Sequence, residues 1–100
     1  FLSGQIGTDA SASGGVVAGG IEAETRQTLD NIQKVLADIG SSMDKVVKCT
    51  VMMADMKEWD RMNTIYTSYF KQGRLPARSA LGANGLALGA RVEIECIASA

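Results

Sequence analysis

Apolar and polar positions recur along this chain with two different spacings, and these spacings predict its secondary structure. Four segments have the alternation or composition of β-strands: 1–6, 46–53, 79–81 and 91–98. Steps of three and four between apolar residues predict helices at about 21–39 and 56–71. The order strand, helix, strand, helix, strand, strand predicts an α+β fold, with a mixed sheet and two helices packed on one of its faces.

Glycine, proline and capping residues indicate where these elements begin and end. A glycine-rich stretch at 7–20 predicts a loop, and Gly40 should end the first helix. The second helix should begin at Asp55, with Glu58 completing a capping box. Its apolar stripe consists of Trp59, Met62, Tyr66 and Phe70. Pro76 prevents this helix from continuing.

The predicted strand 46–53 carries apolar residues on both of its faces. One face is predicted to consist of Val47, Cys49, Val51 and Met53. Lys48 and Thr50 make the other face more polar, but Val46 and Met52 keep it partly apolar. Since two helices can cover only one face of a sheet, the second apolar face predicts a homo-oligomer.

Composition narrows the function classes. A chain of 100 residues with 46% apolar and 21% charged residues is expected to form one globular domain, spanning 1–100. The net charge of −1 and the scattered basic residues argue against a nucleic-acid partner. No apolar run approaches the ~20 residues that a membrane span needs. Because histidine is absent, acid–base chemistry must come from carboxylates, and anion recognition from arginine, lysine or backbone N–H groups.

The cysteines and the first residue bear on the cellular compartment. Cys49 and Cys96 each lie in an apolar strand, which is more typical of a buried small hydrophobe than of a disulfide or a nucleophile. Without histidine, no Cys/His zinc site is expected, and a reducing, cytoplasmic compartment fits. Phe1 already reads as the interior of a domain, so we expect residues before it to be missing. Organellar targeting by residues before Phe1 therefore stays open.

Three positions could carry chemistry, and the pattern alone leaves each open. Arg78 follows a proline-led turn and could pair with Glu93 or Glu95, or clamp a substrate carboxylate. Either glutamate could belong to a solvated strand face or could activate a water molecule. Asn63 could be a helix-edge amide or a rigid hydrogen-bonding group at a pocket wall.

Six segments of the chain together resemble the YjgF/RidA family of reactive imine/enamine deaminases. They are 1–7, 27–31, 46–51, 62–66, 75–79 and 92–98, and the most specific are Pro-Ala-Arg-Ser at 76–79 and the closing Val-Glu-Ile-Glu strand. The resemblance implies a chorismate-mutase-like fold and a homotrimer whose sheets form a central barrel. It also implies active sites in the clefts between subunits, and an N-terminal strand before Phe1 that is missing from this sequence.

The resemblance also implies a role for particular residues. Arg78 matches the arginine that grips the substrate carboxylate, and Glu93, rather than Glu95, matches the glutamate that positions the hydrolytic water. Other pocket positions are matched by Ser3, Gly4, Trp59, Asn63 and Ala80. Ala80 occupies a position that is often cysteine, where the backbone N–H would contact the carboxylate.

The implied activity is hydrolysis of 2-imino acids to 2-oxo acids with release of ammonia. Positioning and one general base suffice for this reaction, so neither a metal nor an organic cofactor is expected. Two other functions stay open: a non-catalytic trimer that binds a small carboxylate, and an RNA-directed inhibitor of translation.

Overall fold

The computed structural model describes residues 1–9 and 15–99, which form a four-stranded sheet with two α-helices against one face. The strands are β1 (Leu2–Gln5), β2 (Val46–Met53), β3 (Ala77–Gly82) and β4 (Val92–Ala98), and the helices are α1 (Gly20–Asp38) and α2 (Trp59–Ser68). Short 3₁₀ turns lie at Met43–Lys45, Met56–Glu58 and Ala87–Gly89. Part of the predicted loop at 7–20, namely 10–14, lies outside the described residues.

The strands lie in the order β1-β4-β2-β3, so β3 is an edge strand. Strand β2 is parallel to β3 and antiparallel to β4, and β4 is antiparallel to β1. Parallel neighbours need a long crossover, and α2 provides it between β2 and β3. This mixed sheet with two helices on one face confirms the predicted fold class.

The core lies between the helices and one face of the sheet. Its helical side chains include Leu29, Ile32 and Leu36 of α1, and Met62 and Tyr66 of α2. The facing strand residues include Cys49, Val51, Met53, Val92, Ile94 and Cys96. The other face has no covering layer within the described part of the chain, and we call it the open face.

The prediction that Val47 shares the core face with Cys49 is wrong. Val46 pairs with Ala98 and Lys48 with Ile97, so two steps along β2 correspond to one step along β4. Such a β-bulge reverses the faces on one side of it. As a result Val46 is buried and Val47 is 50% exposed.

The start of the second helix also differs from the prediction. Met56–Glu58 forms a 3₁₀ turn, and the α-helix extends only over Trp59–Ser68. The Asp55 side chain caps this turn by accepting from the Lys57 N–H at 2.9 Å. This confirms Asp55 as a capping residue, although it caps the 3₁₀ turn. The capping box is wrong, because one Glu58 oxygen instead accepts from Arg91 at 2.9 Å and from Arg61 at 3.2 Å. Two charged partners, one from a distant segment and one in α2, have displaced the backbone contact.

Candidate active site

Arg78 lies on the edge strand β3 and is directed toward α2. Its register partner in β2 is Cys49, whose side chain is buried beneath the helices. The guanidinium carbon is 4.6 Å from the centre of the Trp59 ring and 4.7 Å from that of Tyr66. One guanidinium N–H donates to the Asn63 side-chain oxygen. Arg78 is therefore held by three side chains of a single helix.

Helical periodicity explains this arrangement. Asn63 follows Trp59 by four residues and Tyr66 follows Asn63 by three, so all three lie on the same stripe of α2. A guanidinium above aromatic rings is attracted by their π electrons. The amide then sets its orientation through one hydrogen bond.

Within residues 1–9 and 15–99, the Arg78 guanidinium contacts no carboxylate. The ion pairs in these ranges do not include it, so the alternative of a structural pair with Glu93 or Glu95 is not found. The guanidinium has five N–H donors, and the side-chain hydrogen bond that it makes is the one to Asn63. Its remaining N–H groups can donate to a carboxylate in the bidentate manner that suits a planar guanidinium.

Glu93 lies on the opposite face of the sheet. Its neighbours Val92 and Ile94 are fully buried in the core, so the half-buried Glu93 side chain is directed to the open face. Its carboxylate lies against the backbone of Gly4 in β1: a Cβ atom added to Gly4 would be 2.9 Å from the carboxyl carbon. Only glycine gives the carboxylate this room. Ser3, beside Gly4, is exposed.

Glu95 shares the open face but lies elsewhere on it. With Ser3, Lys48 and Thr50 it lines a cavity of about 300 Å³. Neither Arg78 nor Glu93 lines this cavity. The geometry thus separates the two glutamates: Glu93 contacts Gly4, and Glu95 faces a different space.

The predicted site residues therefore form two separate groups. The arginine half-site consists of Trp59, Asn63, Arg78 and Ala80; Ala80 is exposed two positions after Arg78 on the same strand. The glutamate half-site consists of Gly4 and Glu93, whereas Ser3, beside Gly4 in β1, lines the cavity of Glu95. Strand β2 separates β3 from β4, and adjacent strands are about 5 Å apart. With Arg78 and Glu93 also on opposite faces, one chain cannot bring both to the same small molecule.

Tyr66 is a site neighbour that the sequence analysis treated as core alone. It is 2% exposed, and its hydroxyl lies next to the Cys49 thiol and has no other hydrogen-bond partner within the described ranges. Burial, followed by the adjacent Cys49 thiol, raises the pKa of Tyr66 well above its ordinary value, so the phenol is neutral. The signal in the sequence was its position on the same helical stripe as Trp59 and Asn63.

Cys49 and Cys96 are buried free thiols on neighbouring strands, as predicted. They are register partners, and their sulfur atoms are 2.8 Å apart. This thiol–thiol hydrogen bond raises the pKa of Cys96 and lowers that of Cys49. The pair lies beneath Tyr66, on the core side of the arginine half-site.

A family model described as Endoribonuclease L-PSP matches residues 1–100. The chain belongs to this family. The resemblance to YjgF/RidA proteins is thereby confirmed, since solved structures of Rid-family proteins share the fold. One of them, the YyfA protein from Yersinia pestis, is 42% identical and superposes with a TM-score of 0.92, covering 98% of this chain and 77% of that one.

Two mammalian proteins similar to this chain are named 2-iminobutanoate/2-iminopropanoate deaminase. The mouse protein is 47% identical over 98 residues, which are 98% of this chain and 71% of its own. The human protein is 43% identical over the same length, which is 70% of its own.

In the described part of the chain, no group of three or more histidine, cysteine, aspartate or glutamate side chains could hold a metal ion. None of its helices is long and apolar enough to cross a membrane.

Proposed function

We propose that this protein hydrolyses small 2-imino acids to 2-oxo acids with release of ammonia. The observation that carries the proposal is the Arg78 guanidinium, which lies between two aromatic rings and an amide without a carboxylate partner among the described residues. A pre-oriented guanidinium of this kind recognises a carboxylate. The names of the mouse and human relatives support the choice of substrate.

The reaction follows from the two half-sites when they face each other. Arg78 binds the substrate carboxylate, with the backbone N–H of Ala80 beside it. The electrophilic C=N carbon, next to that carboxylate, then lies near a water molecule held by Glu93. Glu93 accepts one proton as the water attacks and passes it to the imine nitrogen, which gives a carbinolamine. Glu93 then transfers the carbinolamine hydroxyl proton to the nitrogen, so that the C–N bond breaks, ammonia leaves and the C=O group of the 2-oxo acid remains.

We further propose that the complete site forms between two subunits of a homotrimer. The support is geometric: Arg78 and Glu93 lie on opposite faces of one sheet, so the arginine half-site of one subunit must meet the glutamate half-site of another. Strand β3 is an edge strand whose residues are all exposed, and its Leu81 is 47% exposed. An open, partly apolar edge of this kind fits a subunit interface.

Ammonia release from freshly generated 2-iminobutanoate or 2-iminopropanoate tests the activity. We expect a rate well above that of buffer, an inactive Glu93→Gln variant, and an Arg78→Ala variant with greatly weakened substrate binding. If the wild-type protein is no faster than buffer while a known deaminase works in parallel, the proposed function is wrong.

Mixed oligomers test the intersubunit site. When Arg78→Ala and Glu93→Gln chains are co-expressed, about a quarter of the intersubunit sites should combine an intact arginine with an intact glutamate, and activity should return to that level. If both residues served the site from the same chain, mixing would restore nothing.

The same assays separate two other functions. A non-catalytic carboxylate binder would bind 2-oxobutanoate but release no ammonia from the imine. The family description names an endoribonuclease. Salt-dependent RNA binding with RNA cleavage, lost in neither variant, would favour that activity instead.

A further inference from the structure

We propose that Tyr66 is a positioning residue, whose ring holds the Arg78 guanidinium in the orientation that binds a substrate carboxylate. The inference rests on the proposed function of Arg78 and adds a residue to its machinery. It also assigns the task to the aromatic ring and not to the hydroxyl group.

The geometry places the guanidinium between two rings of unequal mobility. Its carbon lies 4.6 Å from the Trp59 ring centre and 4.7 Å from the Tyr66 ring centre, both within the ~6 Å range of a cation–π contact. Trp59 is only partly buried, whereas Tyr66 is 2% exposed. Tyr66 is therefore the fixed side of the pair.

Packing behind Tyr66 prevents its ring from turning away. The Phe70 ring lies 5.0 Å from it, centre to centre, with the planes tilted by 48°. Such a tilted arrangement is favourable for two aromatic rings. A guanidinium resting on this immobile surface loses less freedom when a carboxylate binds, because part of its ordering already exists in the free protein.

The hydroxyl group is unsuited to a catalytic role. Among the described residues it has no hydrogen-bond partner other than the neighbouring Cys49 thiol, and burial keeps it protonated. A neutral ring leaves the positive charge of Arg78 for the substrate, whereas a phenolate would compete with the substrate for it. Removing the hydroxyl should therefore spare ligand binding, and removing the ring should not.

The test compares Tyr66→Phe with Tyr66→Leu in binding of 2-oxobutanoate, measured by calorimetry on the full oligomeric protein. Tyr66→Phe should bind within about twofold of wild type, and Tyr66→Leu about tenfold more weakly. The loss should be specific to the carboxylate, so the neutral amide 2-oxobutanamide should bind both variants equally. Tyr69→Leu is the matched control, since it removes a partly buried aromatic ring that packs against the core but is not one of the two rings under Arg78, and it should bind 2-oxobutanoate as wild type does.

A double-mutant cycle separates positioning from general damage to the core. In an Arg78→Ala background, Tyr66→Leu should cause no further loss of 2-oxobutanoate binding. An equal loss with and without Arg78, or wild-type binding by Tyr66→Leu, would overturn the inference. If Tyr66→Leu does not fold, Tyr66→Met replaces it, because methionine fills similar space without a ring. The same binding results are expected of Tyr66→Met, and the same results would overturn the inference.

Binding and turnover report on different claims. Normal 2-oxobutanoate binding without ammonia release would overturn the proposed function. The double-mutant cycle would still test the role of Tyr66 in that case. Normal turnover by Tyr66→Leu, with unchanged KM, would overturn the role of Tyr66 and leave the proposed function intact.

Discussion

Replacing Gly4 by alanine should move the Glu93 carboxylate without disturbing the fold. The added Cβ would be 2.9 Å from the Glu93 carboxyl carbon and closer still to one of its oxygens. Ordinary van der Waals contact begins at 3.4 Å, so the carboxyl carbon must retreat by at least 0.5 Å and the oxygen by more. Because the obstructing atoms end a flexible side chain, rotation of Glu93 can relieve the overlap.

The expected consequence is a loss of rate with little loss of stability. A shift of this size in a group that positions a reacting water costs on the order of 10- to 100-fold in kcat. The arginine half-site is untouched, so KM should stay within about twofold. The free energy of unfolding should fall by less than about 1 kcal/mol, since no backbone atom has to move.

Gly7→Ala is the matched control. Its Cβ would be 2.8 Å from the backbone oxygen of Glu24 in α1, and a helix backbone cannot move aside as a side chain can. This variant should lose about 1–3 kcal/mol of stability but retain kcat while it is folded. Ammonia release measures kcat, and urea denaturation measures the free energy of unfolding, for both variants. If Gly4→Ala has a normal kcat while Glu93→Gln is inactive, the claim that Glu93 holds the water from its position against Gly4 is refuted.

Three further outcomes are expected. Leu81→Asp, on the exposed edge strand, should shift the protein toward monomers in sedimentation and abolish ammonia release; an unchanged oligomer would contradict the proposed interface. Glu24→Ala removes the acceptor of the Arg91 N–H at 2.8 Å and should cost about 1–3 kcal/mol in urea denaturation, whereas no loss would show that water replaces it. Burial and the hydrogen bond to Asp30 raise the pKa of Tyr69 to about 12, so the folded state keeps this proton longer than the unfolded chain, and stability should fall as pH rises from 10 to 12. Tyr69→Phe should lose less stability over that range, and identical curves would refute the argument.

Much of the fold could be predicted because it rests on local periodicity. The stripe of Leu29, Ile32 and Leu36 identified α1, and the alternation over 46–53 gave β2 with the bounds that the structure has. These patterns follow from the geometry of a helix or a strand, whatever surrounds it. The family motifs added candidate residues, although the periodicity could not choose between Glu93 and Glu95.

The errors and omissions share a different cause. The β-bulge that exposes Val47 depends on pairing with β4, and the Glu58 carboxylate accepts a hydrogen bond from Arg91, which is 33 residues away. The pattern of α2 identified Tyr66 only as a core residue, because its contact with Arg78 is made to a separate element, the edge strand β3. Each of these contacts is long-range, and no local pattern of side chains specifies it.

The sequence by itself determined the number, type and order of the elements, the apolar faces of the helices and the presence of an arginine and glutamates able to do chemistry. Only the tertiary structure decided where those groups lie relative to one another. The order β1-β4-β2-β3 places β2 between Arg78 and Glu93, and the pleat directs them to opposite faces. Strand order and register are decided by the packing of distant segments, and this is why the sequence supplied candidate residues but not their separation onto two faces of the sheet.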